Sequence, residues 1–188
     1  TPIPSPTPTL APSPTPSLDD DGDGAQNTTD KCPNTLSGIP VNIYGCPKPI
    51  SAKFTPSLTS DFNNEDMLAI ADLKLGINSF AQITFSGTTN LLTFNQALNR
   101  YDRVDLDNNV QIQQNRVSIN SSSLPMLNKP AKITFFNVSL NNPVIKKEGQ
   151  PCSSAQCQII SHNESSQTLT IQVQGFSEYA VESSSATR

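Results

Sequence analysis

Asp19, Asp21 and Asp23, followed by Asn27 and Asp30, place oxygen-bearing side chains at positions 1, 3, 5, 9 and 12 of a short loop. Gly24 stands at position 6, where such a loop turns sharply, and Ala25 at position 7 offers a backbone carbonyl. A hard cation that takes six to eight oxygens is the chemistry this spacing serves, and Ca²⁺ is the expected ion. The alternative for such a run is a solvated acidic linker. Charge counting weighs against it. The chain has 16 Asp and Glu against 12 Lys and Arg, and residues 19–31 hold five of those acids and one lysine. The remaining acids and bases balance, so the whole net charge of −4 sits in this loop.

No amphipathic helix flanks the loop. A proline-rich run precedes it and Cys32-Pro33 follows it, so there is no helix pair for an ion to open. Calcium here is expected to order the chain, not to signal. The residues continue through Asn34-Thr35, Gly38, Val41-Asn42 and Gly45-Cys46-Pro47. Residues 19–47 thereby resemble a thrombospondin type 3 repeat, D-x-D-x-D-G-x-x-D-x-x-D-x-C-P with a trailing glycine-cysteine. Asn27 stands where that family usually has Asp. The resemblance implies a calcium-stiffened spacer held by a disulfide, of the kind that links domains in microbial surface proteins.

Four cysteines fall in two local pairs, Cys32 with Cys46 and Cys152 with Cys157. Two disulfides and an oxidising compartment are the reading. Zinc is the competing use of four cysteines, but neither pair has C-x-x-C spacing. The balance is acidic and the basic residues are scattered, which leaves no patch for nucleic acid. No apolar run approaches the roughly 20 residues of a membrane span. The chain opens on Thr1 without a leader-like segment; a processed protein or an excised piece is expected.

Four segments follow from composition. Residues 1–18 form a Pro/Thr/Ser-rich stalk, 19–49 a calcium-binding neck, 50–182 a β-sandwich domain and 183–188 a Ser-rich tail. Seven prolines and seven Ser or Thr in residues 1–17 give a polyproline-type spacer of roughly 50 Å. Every proline before position 10 is even-numbered, so the odd residues keep their N–H donors on one edge of an extended chain. The stalk is either a free linker or a strand able to lie along one sheet edge.

From about residue 53 short alternating runs alternate with turn residues. Strands are expected over 68–75, 81–85, 91–94, 103–106, 110–112 and 116–119, with Asn108-Asn109 as a tight turn. Further strands are expected over 131–140, 143–146, 158–160, 169–173 and 176–181, with a β-bulge between Phe135 and Phe136. The fold class is all-β, a sandwich (Ig-like or jelly-roll-like) in preference to a closed barrel. Residues 53–182 also resemble, more loosely, β-rich repeats of archaeal and environmental microbial cell-surface proteins. Val104-Asp105-Leu106-Asp107-Asn108-Asn109-Val110, Lys129 to Phe135, the Cys152–Cys157 loop and Gly175-Phe176-Ser177 carry that likeness. It implies location more than activity.

No catalytic residues are expected. The single histidine, His162, lies in a sequence with hairpin-loop composition and without a nucleophile elbow. Asp102, Asp105 and Asp107 offer a second cation site or a solvated face, and the neighbouring Arg100 and Arg103 favour the face. Asp61, Glu65 and Asp66 carry the same reading. Trp is absent and Tyr occurs three times, which makes aromatic sugar platforms hard to build. Sequons begin at Asn27, Asn120, Asn137 and Asn163. Eighteen Asn among 40 Ser and Thr give about that many by chance, so the count is no sign of glycosylation. Asn120, Asn137 and Asn163 remain possible acceptors, whereas Asn27 is assigned to the ion. The expected role is a non-catalytic, calcium-stabilised module of a surface filament or layer that self-associates through its stalk. An adhesin or carbohydrate-binding module of a larger secreted protein is the alternative.

Overall fold

Strict alternation gives the central strands of one sheet a buried row. In Ala81-Gln82-Ile83-Thr84-Phe85 the first, third and fifth residues are fully buried, and Ala131, Ile133 and Phe135 repeat the pattern. The computed structural model describes residues 18–184. The expected stalk lies outside them, apart from its last residue, as do the last four residues of the tail.

The described residues form fourteen strands. The first six are β1 (Ile70–Ala71), β2 (Lys74–Ile77), β3 (Ala81–Phe85), β4 (Thr88–Thr89), β5 (Thr93–Asn95) and β6 (Arg100–Asp102). A single helical turn, α1 (Leu106–Asn109), leads into β7 (Val110–Gln113) and β8 (Arg116–Ile119). The rest are β9 (Ala131–Phe135), β10 (Pro143–Lys147), β11 (Gln150–Pro151), β12 (Cys157–Asn163), β13 (Thr168–Val173) and β14 (Glu178–Ser183).

Two five-stranded sheets carry the fold, ordered β12-β13-β9-β3-β2 and β11-β10-β14-β8-β7. All their ladders are antiparallel. Short ribbons β1-β4 and β5-β6 accompany them. One apolar cluster joins buried rows from both sheets, so the protein is the expected all-β sandwich. Phe176 bridges its centre, 5.3 Å from the Phe85 ring and edge-on to Tyr179 at 6.1 Å. The Tyr179 hydroxyl donates to the Gly175 carbonyl at 2.7 Å, which satisfies the polar end of a buried ring.

Several local expectations give way to tertiary contacts. The run 68–75 is two strands, not one. Asp72 takes a left-handed conformation (φ 44°), its N–H donates to the Gly87 carbonyl, and its carboxylate accepts from Gly87 N–H. The chain thereby leaves β1 for the sheet of β2. Asn108-Asn109 is not a hairpin turn, nor is 103–106 a strand. The Asp105 carboxylate accepts the Asn108 N–H at 3.0 Å and caps α1, while the β7-β8 turn lies at Gln114-Asn115. Only a parallel bridge between Ile50 and Asp105 remains of that expected strand. The 131–140 run ends at Phe135, with Asn137 left-handed, and no bulge separates the phenylalanines. The bulge lies instead in β12, between Ile159 and Ser161.

The β12 bulge explains a second correction. Ile159 pairs with Ile171 and His162 with Leu169, both of which are fully buried. Residues three apart share a strand face only when one extra residue intervenes, and Ile160 is that residue. His162 is therefore a strand residue on the core-facing row, not part of the hairpin loop.

The neck packs directly on the sandwich. Cys32 and Cys46, joined as a disulfide, are fully buried in the same apolar cluster as Phe62 and Met67. Asn42 donates to the Glu65 carbonyl at 2.7 Å, and Ile43 N–H to Asn63 at 3.0 Å. The Arg103 guanidinium donates to the Lys48 carbonyl at 2.8 Å. The second disulfide, Cys152–Cys157, ties β11 to the start of β12.

The Asp105 cap gives an acid-dependent stability term. Its N–H partner at Asn108, then the Asn108 amide, hold the carboxyl below its ordinary range. A carboxyl with a lowered folded pKa stabilises fully above the unfolded pKa and stops doing so as pH falls through the folded one. Asp105→Ala is expected to lower Tm at pH 7 by about 2–4 °C. The difference from wild type should vanish in scans below the lowered pKa; a constant difference would show that the charge is irrelevant.

Candidate metal centre

Left-handed glycines fold the acidic loop upon itself. Gly22 (φ 70°) and Gly24 (φ 101°) let the chain curl so that both their N–H groups donate to the Asp19 carboxylate, at 2.8 and 3.0 Å. The loop closes where Asn27 N–H donates to the Leu18 carbonyl and Asp30 N–H to Gln26. Asp23 accepts from Ala25 N–H at 2.7 Å and Asp30 from Cys32 N–H at 2.8 Å. One Asp21 oxygen accepts from Thr35 N–H at 2.8 Å, fixing the loop to the segment beyond Cys32.

These bonds bring Asp19, Asp21 and Asp23 together, with one oxygen from each within 4.8 Å of the others. Asp30 lies outside this group of three and approaches it across Gly45. A Cβ built on that glycine would lie 2.2 Å from Asp30 Oδ1 and 3.0 Å from Asp23 Oδ2. Asn27 spends its side-chain carbonyl on the Asp20 N–H at 2.9 Å, so it braces the loop from within. With Asp20, Asp21 and Asp30 it still lines one surface depression of about 340 Å³.

The electrostatics are those of a site built for positive charge. Burial pushes the Asp23 carboxyl above its usual range against the pull of Ala25 N–H, and Asp21, Asp30 and Asp19 push it further. Burial likewise raises Asp30, with Asp21 and Asp19 adding to it. The nearest lysine does not relieve them. Lys31 lies over the Tyr44 ring and pairs with Asp66 at 2.7 Å. Asp23 Oδ2 is buried and has no hydrogen-bond partner among the described residues. A buried carboxylate oxygen without a donor is costly unless a cation meets it. The all-oxygen donor set of Asp19, Asp21, Asp23 and Asp30 fits a hard divalent ion such as Ca²⁺. When bound, it would supply the charge that four crowded carboxylates lack.

Sequence reasoning singled out the carboxylates and missed Thr35 and Gly45. Thr35 is buried, with its hydroxyl 2.8 Å from the Cys32 carbonyl and 3.0 Å from that of Gly45. The glycine-cysteine pair was the available signal for Gly45; nothing local pointed to Thr35.

The other acidic groups go separate ways. Asp102 faces Arg100 and accepts from Asn95, Asp105 caps α1, and Asp107 accepts the N–H groups of Ala52 and Lys53. Asp61 closes a turn on Asn63 and Asn64, and Asp66 pairs with Lys31. Asn120, Asn137 and Asn163 are all exposed. A larger groove, about 720 Å³, lies where the neck meets the sandwich and is lined by Pro40, Lys48, Pro56, Asn63 and Arg103 among others. Its two phenylalanines, Phe54 and Phe62, are buried, so its walls present proline and methylene surface in place of an exposed ring.

No protein-family model and no curated protein sequence matches the chain. Among solved structures, it is similar to the C-terminal domain of nuclear pore complex component NUP116 from Candida glabrata. Identity is 17% and the TM-score 0.39, over 58% of this chain and 79% of that one. A likeness at this level carries no functional argument.

Gly45→Ala tests the closure of the site. The new methyl collides with Asp30 at a left-handed backbone position, so the change should destabilise the protein by about 1–3 kcal/mol. It should also weaken Ca²⁺ binding measured by calorimetry. Unchanged affinity would place Asp30 outside the site.

Proposed function

We propose that this chain is a calcium-stabilised structural module of the extracellular or cell-surface space, serving as a subunit of a surface filament or layer. The observation that carries the reading is the buried, unpartnered Asp23 oxygen inside a ring of like charges. That arrangement is unfavourable alone and favourable around a divalent ion. The ion would fix a loop whose next residues, Cys32 and Thr35, are already built into the core. Calcium thereby stiffens the joint between the chain entering at residue 18 and the sandwich.

Two further features support the setting. Two disulfides mark an oxidising environment. No helix of the described residues is long and apolar enough to cross a membrane. Self-association is assigned to the stalk, whose one-sided row of N–H donors suits strand addition.

Calorimetry is expected to find one Ca²⁺ per chain, and Asp21→Ala with Asp23→Ala to abolish its uptake. At about 100-fold saturation the ion should add about 2.7 kcal/mol to stability, seen as a higher Tm that a chelator removes. Stoichiometric uptake by the double variant, or a Tm indifferent to chelation, would refute the assignment.

A further inference from the structure

The four outer edges of the two sheets are treated very differently. The edge of β2 is covered. Thr55 N–H donates to the Gly76 carbonyl and Ser60 N–H to that of Lys74, while the Ser60 and Thr59 hydroxyls accept from Lys74 and Gly76. The edge strand β11 has two residues, one of them Pro151. The edge strand β7 is four residues long, and Lys53 Nζ caps its Val110 carbonyl.

The remaining edge strand, β12, is neither covered nor short. It runs for seven residues and pairs only with β13. Apart from that ladder, residues 158–163 make no main-chain to main-chain hydrogen bond among the described residues. It has no proline and no Asp, Glu, Lys or Arg, and its single bulge is the only common edge-blunting device it carries. Ile159 and the bulged Ile160 are 36% and 51% exposed there. An uncharged edge with exposed isoleucines is a template for another strand.

The chain itself contains a segment matched to such an edge. A strand joining a sheet at one side uses the N–H of every second residue. All seven prolines of residues 1–17 are even-numbered, so each odd position keeps the donor that one-sided pairing needs. Were the segment to pair in this way, the missing donors of residues 1–9 would fall on the side away from the sheet and hinder growth beyond the added strand. Ile3 supplies an apolar side chain, and the segment has no charged side chain, like the edge it would meet.

We propose that β12 is the acceptor for residues 1–9 of a second copy, which add to the sheet through the N–H groups of Thr1, Ile3, Ser5, Thr7 and Thr9. This rests on the filament reading above and names its contact. The donor segment and the β12 edge are different surfaces of one chain, so their contact between two copies is heterologous and propagates head to tail, as the filament reading requires.

Full-length variants test it by complementation. Ile159→Lys with Ile160→Lys charges the edge and leaves the donor intact; Ser5→Pro with Thr7→Pro removes donors and leaves the edge intact. With calcium, wild type should form fibres by electron microscopy, and each variant alone should sediment as a monomer. Mixing the two should give a 1:1 dimer and stop there, because the edge and the donor left over are the two that the substitutions disable. Independently of any variant, assembly of wild type should slow amide exchange in residues 158–163. Fibres from the edge variant, a mixture that stays monomeric, or unchanged exchange in those residues on assembly would overturn the β12 contact and leave the filament reading standing. A wild type that remains monomeric at high concentration with calcium would overturn both.

Discussion

The contact between two sheet faces governs everything else in this molecule. Ile83, Phe85 and Ile133 on one sheet, and Val117 and Tyr179 on the other, are fully removed from water. Because side chains alternate, committing one face of each strand to this layer fixes its register, and a slip of one residue would turn the apolar row outward. The β12 bulge shows how strictly this holds. The chain takes in an extra residue, Ile160, so that Ile159 and His162 both keep partners from the buried row. The cost is an edge strand with an isoleucine exposed beyond the core.

The neck depends on that layer more than its composition implies. Its disulfide lies in the core cluster, and hydrogen bonds from Ile43 N–H to the Asn63 carbonyl and from the Asn42 side-chain amide to that of Glu65 hold it on the sandwich. The acidic loop is therefore assembled from two sides. Its own glycines curl Asp19, Asp21 and Asp23 together, and Gly45 and Thr35, both inside the loop closed by the Cys32–Cys46 disulfide, close the far side. Four carboxylates crowded in this way repel one another. Hydrogen bonds from backbone amides offset part of that repulsion, and the partnerless Asp23 oxygen marks the part that is not offset.

The sheet edges differ in how they are protected. An unpaired edge is normally covered, shortened or charged. Here β2 is covered by residues 55–60 and β11 is cut short, while β12 is long and uncharged. The contrast within one molecule is what gives β12 meaning, since the same fold shows the means to protect an edge and does not apply them there.

The sequence by itself determined the features that depend on near neighbours along the chain. The spacing of the carboxylates from Asp19 to Asp30, the pairing of Cys32 with Cys46 and of Cys152 with Cys157, and alternation in runs such as 81–85 are all local, so they were legible along the chain. Tertiary structure decided whatever depends on residues distant in sequence. Asp72 breaks an apparent strand because Gly87 receives it, and Asp105 caps a helical turn where a strand pattern ran. His162 faces the core because Leu169 lies opposite, and Gly45 reaches Asp30 because the disulfide folds one segment onto the other. Which edge stays unpaired is the most non-local property of all. A strand's own residues state that it can pair, but only the completed order of strands states which edge is left without a neighbour among the described residues.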